Sequence, residues 1–92
     1  TSDFVGLVHS YDAESGLATV EQRNNMKLGQ EIEIFQPHGA SFRQGLREMW
    51  DADGQPITAA PHPQQIVRIR MAQPVEENSI LRRDVPKKEE VR

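Results

Sequence analysis

The side chains in this sequence with the chemistry for catalysis or metal binding are few and widely spaced. His9, His38 and His62 stand far apart, and no two lie one helical turn from each other. A zinc site gathers several ligands, commonly at short spacings along one element. These histidines read instead as one strand residue and two loop residues. Asp51-Ala52-Asp53-Gly54 touches the calcium-loop pattern. With Gly54 at its glycine position, however, the first ligand position falls on Met49 and the last on Ala60, where an acid and a bidentate Glu are required. Ser10, Ser15, Ser41 and Ser79 are available as nucleophiles, yet none sits in a Gly-x-Ser-x-Gly elbow. There is no cysteine, so thiol catalysis, thiolate metal ligation and disulfides are excluded. No Gly-rich phosphate loop is present. The expectation is a chain with no catalytic residue, no metal and no cofactor of its own.

The basic residues offer a different chemistry. Arg68 and Arg70 alternate along Val67–Met71 and project from one face of that strand. Arg82 and Arg83 follow the apolar pair Ile80-Leu81, and Arg43 and Arg47 lie on another extended segment. If these faces meet, they form a basic patch able to contact phosphates. Glu21, Glu31, Glu33 and Glu48 are placed to pair with them across strands instead. The expected binding residues are Arg68, Arg70, Arg82 and Arg83. The aromatic residues Phe4, Tyr11, Phe35, Phe42 and Trp50 are expected mostly in the core, not on a stacking platform.

Size and composition bound the structure that positions these groups. The chain has 92 residues, 36% hydrophobic and 27% charged, which fits one folded domain. A domain this small buries only about 60% of the surface its unfolded chain exposes. Its core is therefore compact, with little room for a deep substrate cavity. The formal net charge of −3 gives no bulk attraction to nucleic acid or anionic lipid. No stretch is long and apolar enough for a membrane span, and no signal peptide is visible. The chain starts at Thr1 without an initiator methionine and reads as a segment excised from a longer protein.

Hydrophobicity has a period of two almost throughout. Glu31-Ile32-Glu33-Ile34 and Val67-Arg68-Ile69-Arg70-Met71 alternate cleanly, and Leu17–Gln22 is a further strand with Ala18 and Val20 inward. Phe4–Val8 is apolar on both faces, and Gly6 within it signals a bulge or a close backbone approach. Asp12–Gly16 reads as a type I turn closed by a left-handed Gly16. Turns are also expected at Leu28-Gly29, Gln36–Gly39 and Asp51–Gly54. Ser41–Trp50 is ambiguous, because Phe42, Leu46, Met49 and Trp50 match a helical stripe. Gly45 at its centre and the Asp-Gly turn after it favour a strand. Pro61-His62-Pro63 reads as a rigid lead-in to the strand that follows.

The order and spacing of these pieces carry a resemblance. Phe4-Val5-Gly6-Leu7-Val8, Asp12–Gly16, Ala18–Asn24, Lys27–Glu33, Met49–Gly54 and Ala60-Pro61-His62-Pro63-Gln64-Gln65-Ile66-Val67 together resemble the C-terminal domain of U32-family (collagenase-like) peptidases. The resemblance implies an all-β fold: a small closed or partly closed antiparallel β-barrel of six to eight strands, similar to domain 2 of translation elongation factors. It places the catalytic region in a separate N-terminal domain, whose characteristic motif is absent from this chain. Members of the family are known as collagenase-like proteases. Some act in hydroxylating a wobble uridine of tRNA, and relatives hydroxylate ribosomal RNA or quinone precursors.

The resulting expectation is a barrel over residues 1–83 followed by a flexible charged tail over 84–92. The fragment is a non-catalytic accessory domain that helps a separate catalytic domain recognise protein or RNA. The alternative is structural docking or oligomerisation without substrate contact. The expected partners are the N-terminal catalytic domain and protein substrate or tRNA, with no membrane involved. The expected setting is cytoplasmic.

Overall fold

Side chains that alternate in and out along extended segments can share one core only if the sheet that carries them curls. The computed structural model describes residues 2–84 and shows this arrangement. Ten strands occur among the described residues: β1 (Ser2–Asp12), β2 (Leu17–Gln22), β3 (Met26–Lys27), β4 (Glu31–Phe35), β5 (Phe42–Gly45), β6 (Met49–Asp51), β7 (Pro56–Ile57), β8 (Ala59–Ala60), β9 (Ile66–Arg70) and β10 (Ile80–Asp84). Eight form one curled antiparallel sheet in the order β5-β4-β10-β1-β2-β9-β6-β7, and β3 pairs with β8 beside it. The fold is all-β and barrel-like: the alternation called for strands, and the resemblance implied the barrel. β10 includes Asp84, the first residue assigned above to the tail, and the rest of that segment lies outside the described residues.

The inner face is aliphatic. Val5, Val8, Ala18, Val20, Val67, Ile69, Ile32, Ile34 and Leu81 are sealed from solvent, joined by Met26, Leu46 and Met49. The aromatic residues are not the core, contrary to expectation. Tyr11 and Phe42 pack against it while half-buried, and Phe35 is exposed. The small β-branched side chains of neighbouring strands already fill so narrow a barrel, and larger rings are left on its rim and outer face.

Gly6 fulfils both readings made of it. The β1–β10 register shifts between Phe4 and Gly6, and a Cβ at Gly6 would lie 2.7 Å from Cγ1 of Val20. The first turn is also as expected. The amide of Gly16, with φ of 76°, donates to the Asp12 carbonyl at 2.8 Å. The Ser15 hydroxyl donates to the Asp12 carboxylate at 2.7 Å.

The segment 41–50 is neither a helix nor a single strand. β5 pairs with β4 at one end of the sheet, whereas β6 pairs with β9 and β7 near the other. The chain turns a corner between them at Leu46. That residue is fully buried; its amide donates to the Gln30 carbonyl and its carbonyl accepts from the Gly29 amide, both at 2.8 Å. The apparent helical stripe therefore comes from two short strands that share a core across a bend.

No strand-to-strand ladder joins β5 to β9 where the sheet curls round. The side chain of Gln44 spans that seam. Its amide group donates to the Arg70 carbonyl at 2.9 Å and accepts from the Ala72 amide at 2.7 Å. Those are the two contacts a strand's peptide group would make. Gln22, fully buried, does the same beyond the end of β2, donating to the His62 carbonyl at 2.6 Å and accepting from the Met26 amide at 3.1 Å.

Two outcomes follow from these contacts. Gln44→Leu and Gln22→Leu keep side-chain bulk but orphan main-chain partners, each costing about 1–3 kcal/mol. The loss should be larger at Gln22, whose Met26 partner is fully buried; urea denaturation measures both, and wild-type midpoints would refute the role. The Ser15 hydroxyl foremost, helped by the Glu14 and Ser15 amides and opposed by desolvation, holds the Asp12 carboxyl below the usual carboxylate range. Its stabilising contribution is thus present above the unfolded-state value of about 3.9 and is lost as pH falls through the lower folded-state value. In a pH series, Asp12→Asn should be less stable than wild type near neutrality, and the gap should close as the solution becomes acidic.

Candidate functional site

The alternation of β9 turns Val67 and Ile69 into the core and leaves Arg68 and Arg70 outside. The register then fixes their neighbours. Arg68 stands between Thr19 on β2 and Trp50 on β6, and Arg70 lies opposite Leu17. The Arg70 guanidinium lies 5.7 Å from the centroid of the half-buried Trp50 ring. It also pairs with Glu48 and donates to the Ser15 carbonyl at 2.9 Å. Arg68 has no ion pair among the described residues and is exposed. An open cleft of about 460 Å³ adjoins Arg70, walled in part by Gln44, Arg47, Glu48 and Met71. Arg47 is exposed on that wall, also without an ion pair among the described residues.

The four arginines singled out in the sequence do not come together. β9 and β10 are separated in the sheet by β2 and β1, which is about 14 Å at the usual strand spacing. Arg82 points outward from β10, with its guanidinium 5.9 Å from the Phe35 ring centroid. Arg83 is the next residue and faces the opposite way. Its side chain is only 18% exposed and is occupied by the Asp3 carboxylate at 3.0 Å, the Gln30 side chain at 3.2 Å and the Asn25 carbonyl. Arg83 closes the barrel end and presents no free charge.

The carboxylates take up most of the remaining positive charge. Glu33 and Asp84 hold Arg43 at 3.2 and 3.1 Å, and these contacts, the Asp84 hydrogen bond foremost, push the Arg43 guanidinium further toward its charged form. Glu21 takes Arg23 at 3.1 Å and His9 at 3.0 Å. The β6–β9–β2 face and its margin carry a short basic strip of Arg68, Arg70 and Arg47 beside an indole; Arg70 is held by Glu48, and Arg68 and Arg47 have no ion pair among the described residues. Sequence reasoning named Arg68, Arg70 and Arg47 but expected the aromatic residues mostly in the core, and so missed Trp50 beside them. The signal was in the alternation, since Met49 inward requires Trp50 outward.

No catalytic constellation forms among the described residues. The hydroxyl of Ser15 is engaged by Asp12, and that of the buried Ser79 by the Glu76 carbonyl at 2.7 Å. His9 is bonded to Glu21, while His38 and His62 lie exposed in separate loops. No group of His, Asp and Glu among the described residues is arranged to hold a metal. The main chain of His62 is tied to Gln22 and Gln65, so the Pro61–Pro63 segment serves as an anchored lead-in. No helix among the described residues is long and apolar enough to cross a membrane.

Comparison with known proteins adds the following. Residues 1–82 match the model of the peptidase family U32 C-terminal domain. The chain is 39% identical over 83 residues to tRNA hydroxylation protein P1 of Bacillus subtilis (strain 168), covering 90% of this chain and 20% of that protein's length. It is similar to the crystal structure of the C-terminal domain of a Geobacillus thermoleovorans protein assigned to the U32 peptidases. The TM-score is 0.85 at 41% identity, over 90% of this chain and 93% of that one. The selenomethionine variant of the same domain matches with a TM-score of 0.83 and 41% identity, over 89% and 99% of the two chains.

The two kinds of arginine separate experimentally. Arg83→Ala should lower stability by about 1–2 kcal/mol, after allowance for screening of its partly exposed partner. Arg68→Ala should leave the denaturation midpoint unchanged. Equal effects on melting would erase the distinction.

Proposed function

The chain belongs to the peptidase family U32 C-terminal domain family, and on that premise we propose that it is a non-catalytic accessory module through which a larger enzyme grips an RNA substrate. The observation that carries this reading is the strip of Arg68, Arg70 and Arg47 beside Trp50 and an open cleft. Exposed guanidinium groups next to a half-exposed aromatic ring suit phosphates and an unstacked base. The relative named as a tRNA hydroxylation protein supports RNA over protein as the substrate class. On this reading the chemistry belongs to the four-fifths of that relative which this domain does not match. A cytoplasmic setting goes with that substrate.

The net charge of −3 shapes how such binding would behave. Attraction must be local, from a few phosphate contacts against an acidic background, so it is weak and salt-sensitive. The module adds grip and orientation to an enzyme that binds substrate elsewhere as well, and the two sites on one chain multiply their affinities.

The test is binding of the isolated domain to bulk tRNA across a salt series. The solved relative is this same domain standing alone, which makes the fragment a fair subject. Affinity should fall with salt with a log–log slope of about −2 to −3, for roughly three phosphate contacts. Arg68→Ala should reduce the slope by about 1. Absence of binding at low salt, or binding indifferent to Arg68 and Arg70 together, would overturn the proposal.

A further inference from the structure

A second surface lies on the outer face of β4, β10 and β1. The large apolar side chains exposed among the described residues are Phe35, at 39%, and Ile80, at 40%. They are direct cross-strand partners. Phe4 stands on the next strand, opposite Arg82. Phe4, Phe35, Ile80 and Arg82 line a shallow depression of about 320 Å³. Single exposed apolar residues are ordinary on a protein surface, but here the exposed apolar side chains are clustered at one spot. None of these residues serves the core or the basic strip on the far side of β2.

We propose that this face seats the catalytic region that precedes the domain in longer members of the family. Three observations choose that occupant. The family model describes a C-terminal domain, and the tRNA hydroxylation relative is matched over only 20% of its length, so a large preceding region is joined to β1. β1 is the strand that carries Phe4, so the junction and the patch share one strand. A region tethered within a few residues of a surface reaches high effective concentration there, and a modest apolar patch then suffices. A second free copy has no tether and would need about 800 Å² on each partner.

Nucleic acid fits this face less well. The depression is lined by one cation, Arg82, beside three apolar side chains, and so offers a phosphate backbone little to hold. Ile80, in the same depression, offers no aromatic face. Arg82 has no carboxylate partner among the described residues, and the matching surface should therefore be apolar with an acidic side chain opposite Arg82.

Hydroxyl-radical footprinting of the longer protein against the isolated domain tests the assignment. Phe35 and Ile80 should be labelled several-fold less in the longer protein. Ile80→Glu in the longer protein should restore Phe35 labelling to the level of the isolated domain, while leaving the isolated domain's melting temperature and tRNA binding unchanged. Phe35→Ser, read out on the labelling of Ile80, serves as the second variant if Ile80→Glu does not fold. Equal labelling in the two forms would overturn the proposal. So would protection of the isolated domain that grows with its concentration, which indicates a second copy. Loss of tRNA binding in isolated Ile80→Glu would overturn it too, by making this a nucleic-acid face. If wild-type domain does not bind tRNA at all, the recognition reading fails and the footprinting comparison still stands.

Discussion

The side-chain amide of Gln44 is the contact on which the barrel's shape depends. A sheet of short strands encloses a core by curling, and here no ladder joins the edge strand β5 to the end of β9 that it approaches. Gln44 offers one donor and one acceptor to residues 70 and 72, as a neighbouring strand would. Gln22 repeats the device where β2 gives way to the loop after residue 60. Gln36 does so at the β4–β5 turn, donating to the Ala40 carbonyl and accepting from the Glu76 amide. An amide side chain carries the same polar groups as a peptide bond, so it can replace a missing ladder rung without leaving buried polar atoms unpaired. Among the described residues no buried side-chain polar atom lacks a partner.

This closure separates interior from exterior and thereby creates the surfaces that matter. The inner face is consumed by valine, isoleucine, leucine and methionine. The outer face carries charges that are mostly paired locally, with Arg43, Arg70 and Arg23 each held by a carboxylate. The exceptions fall on two different sides of the sheet. One is basic and aromatic, around Arg68, Arg47 and Trp50. The other is apolar, around Phe35 and Ile80. The described residues thus present two dissimilar outer faces.

Much of the architecture was legible from period-two alternation. β2, β4 and β9 lie where the pattern put them because each has one face in the core and one in water, the condition under which the pattern is informative. Gly16 and the Asp51–Gly54 turn were legible because only a few residue types satisfy those conformations, and Gly6 because only glycine leaves room for Val20. Ser41–Trp50 was not, because two strands three residues apart can imitate helical spacing when a bend sets them against one core. The glutamines were illegible because polarity alone suggests exposure; Gln22 continues the inward series of Ala18 and Val20, but its partners are distant in sequence. Arg82 and Arg83 show the limit for the site. They are adjacent and chemically identical, yet alternation makes one a surface charge and the other a structural clamp.

The most direct test of the central claim, that the β6–β9–β2 face is the RNA-facing surface, is a nitrogen-15 NMR titration of the domain with tRNA at low salt. The account predicts that shifts concentrate on the backbone amides of Thr19, Trp50, Arg68 and Arg70 and on the Trp50 indole, with Ile80 and Phe35 unmoved. Shifts confined to the Phe4–Phe35–Ile80 face, or none anywhere, would contradict it.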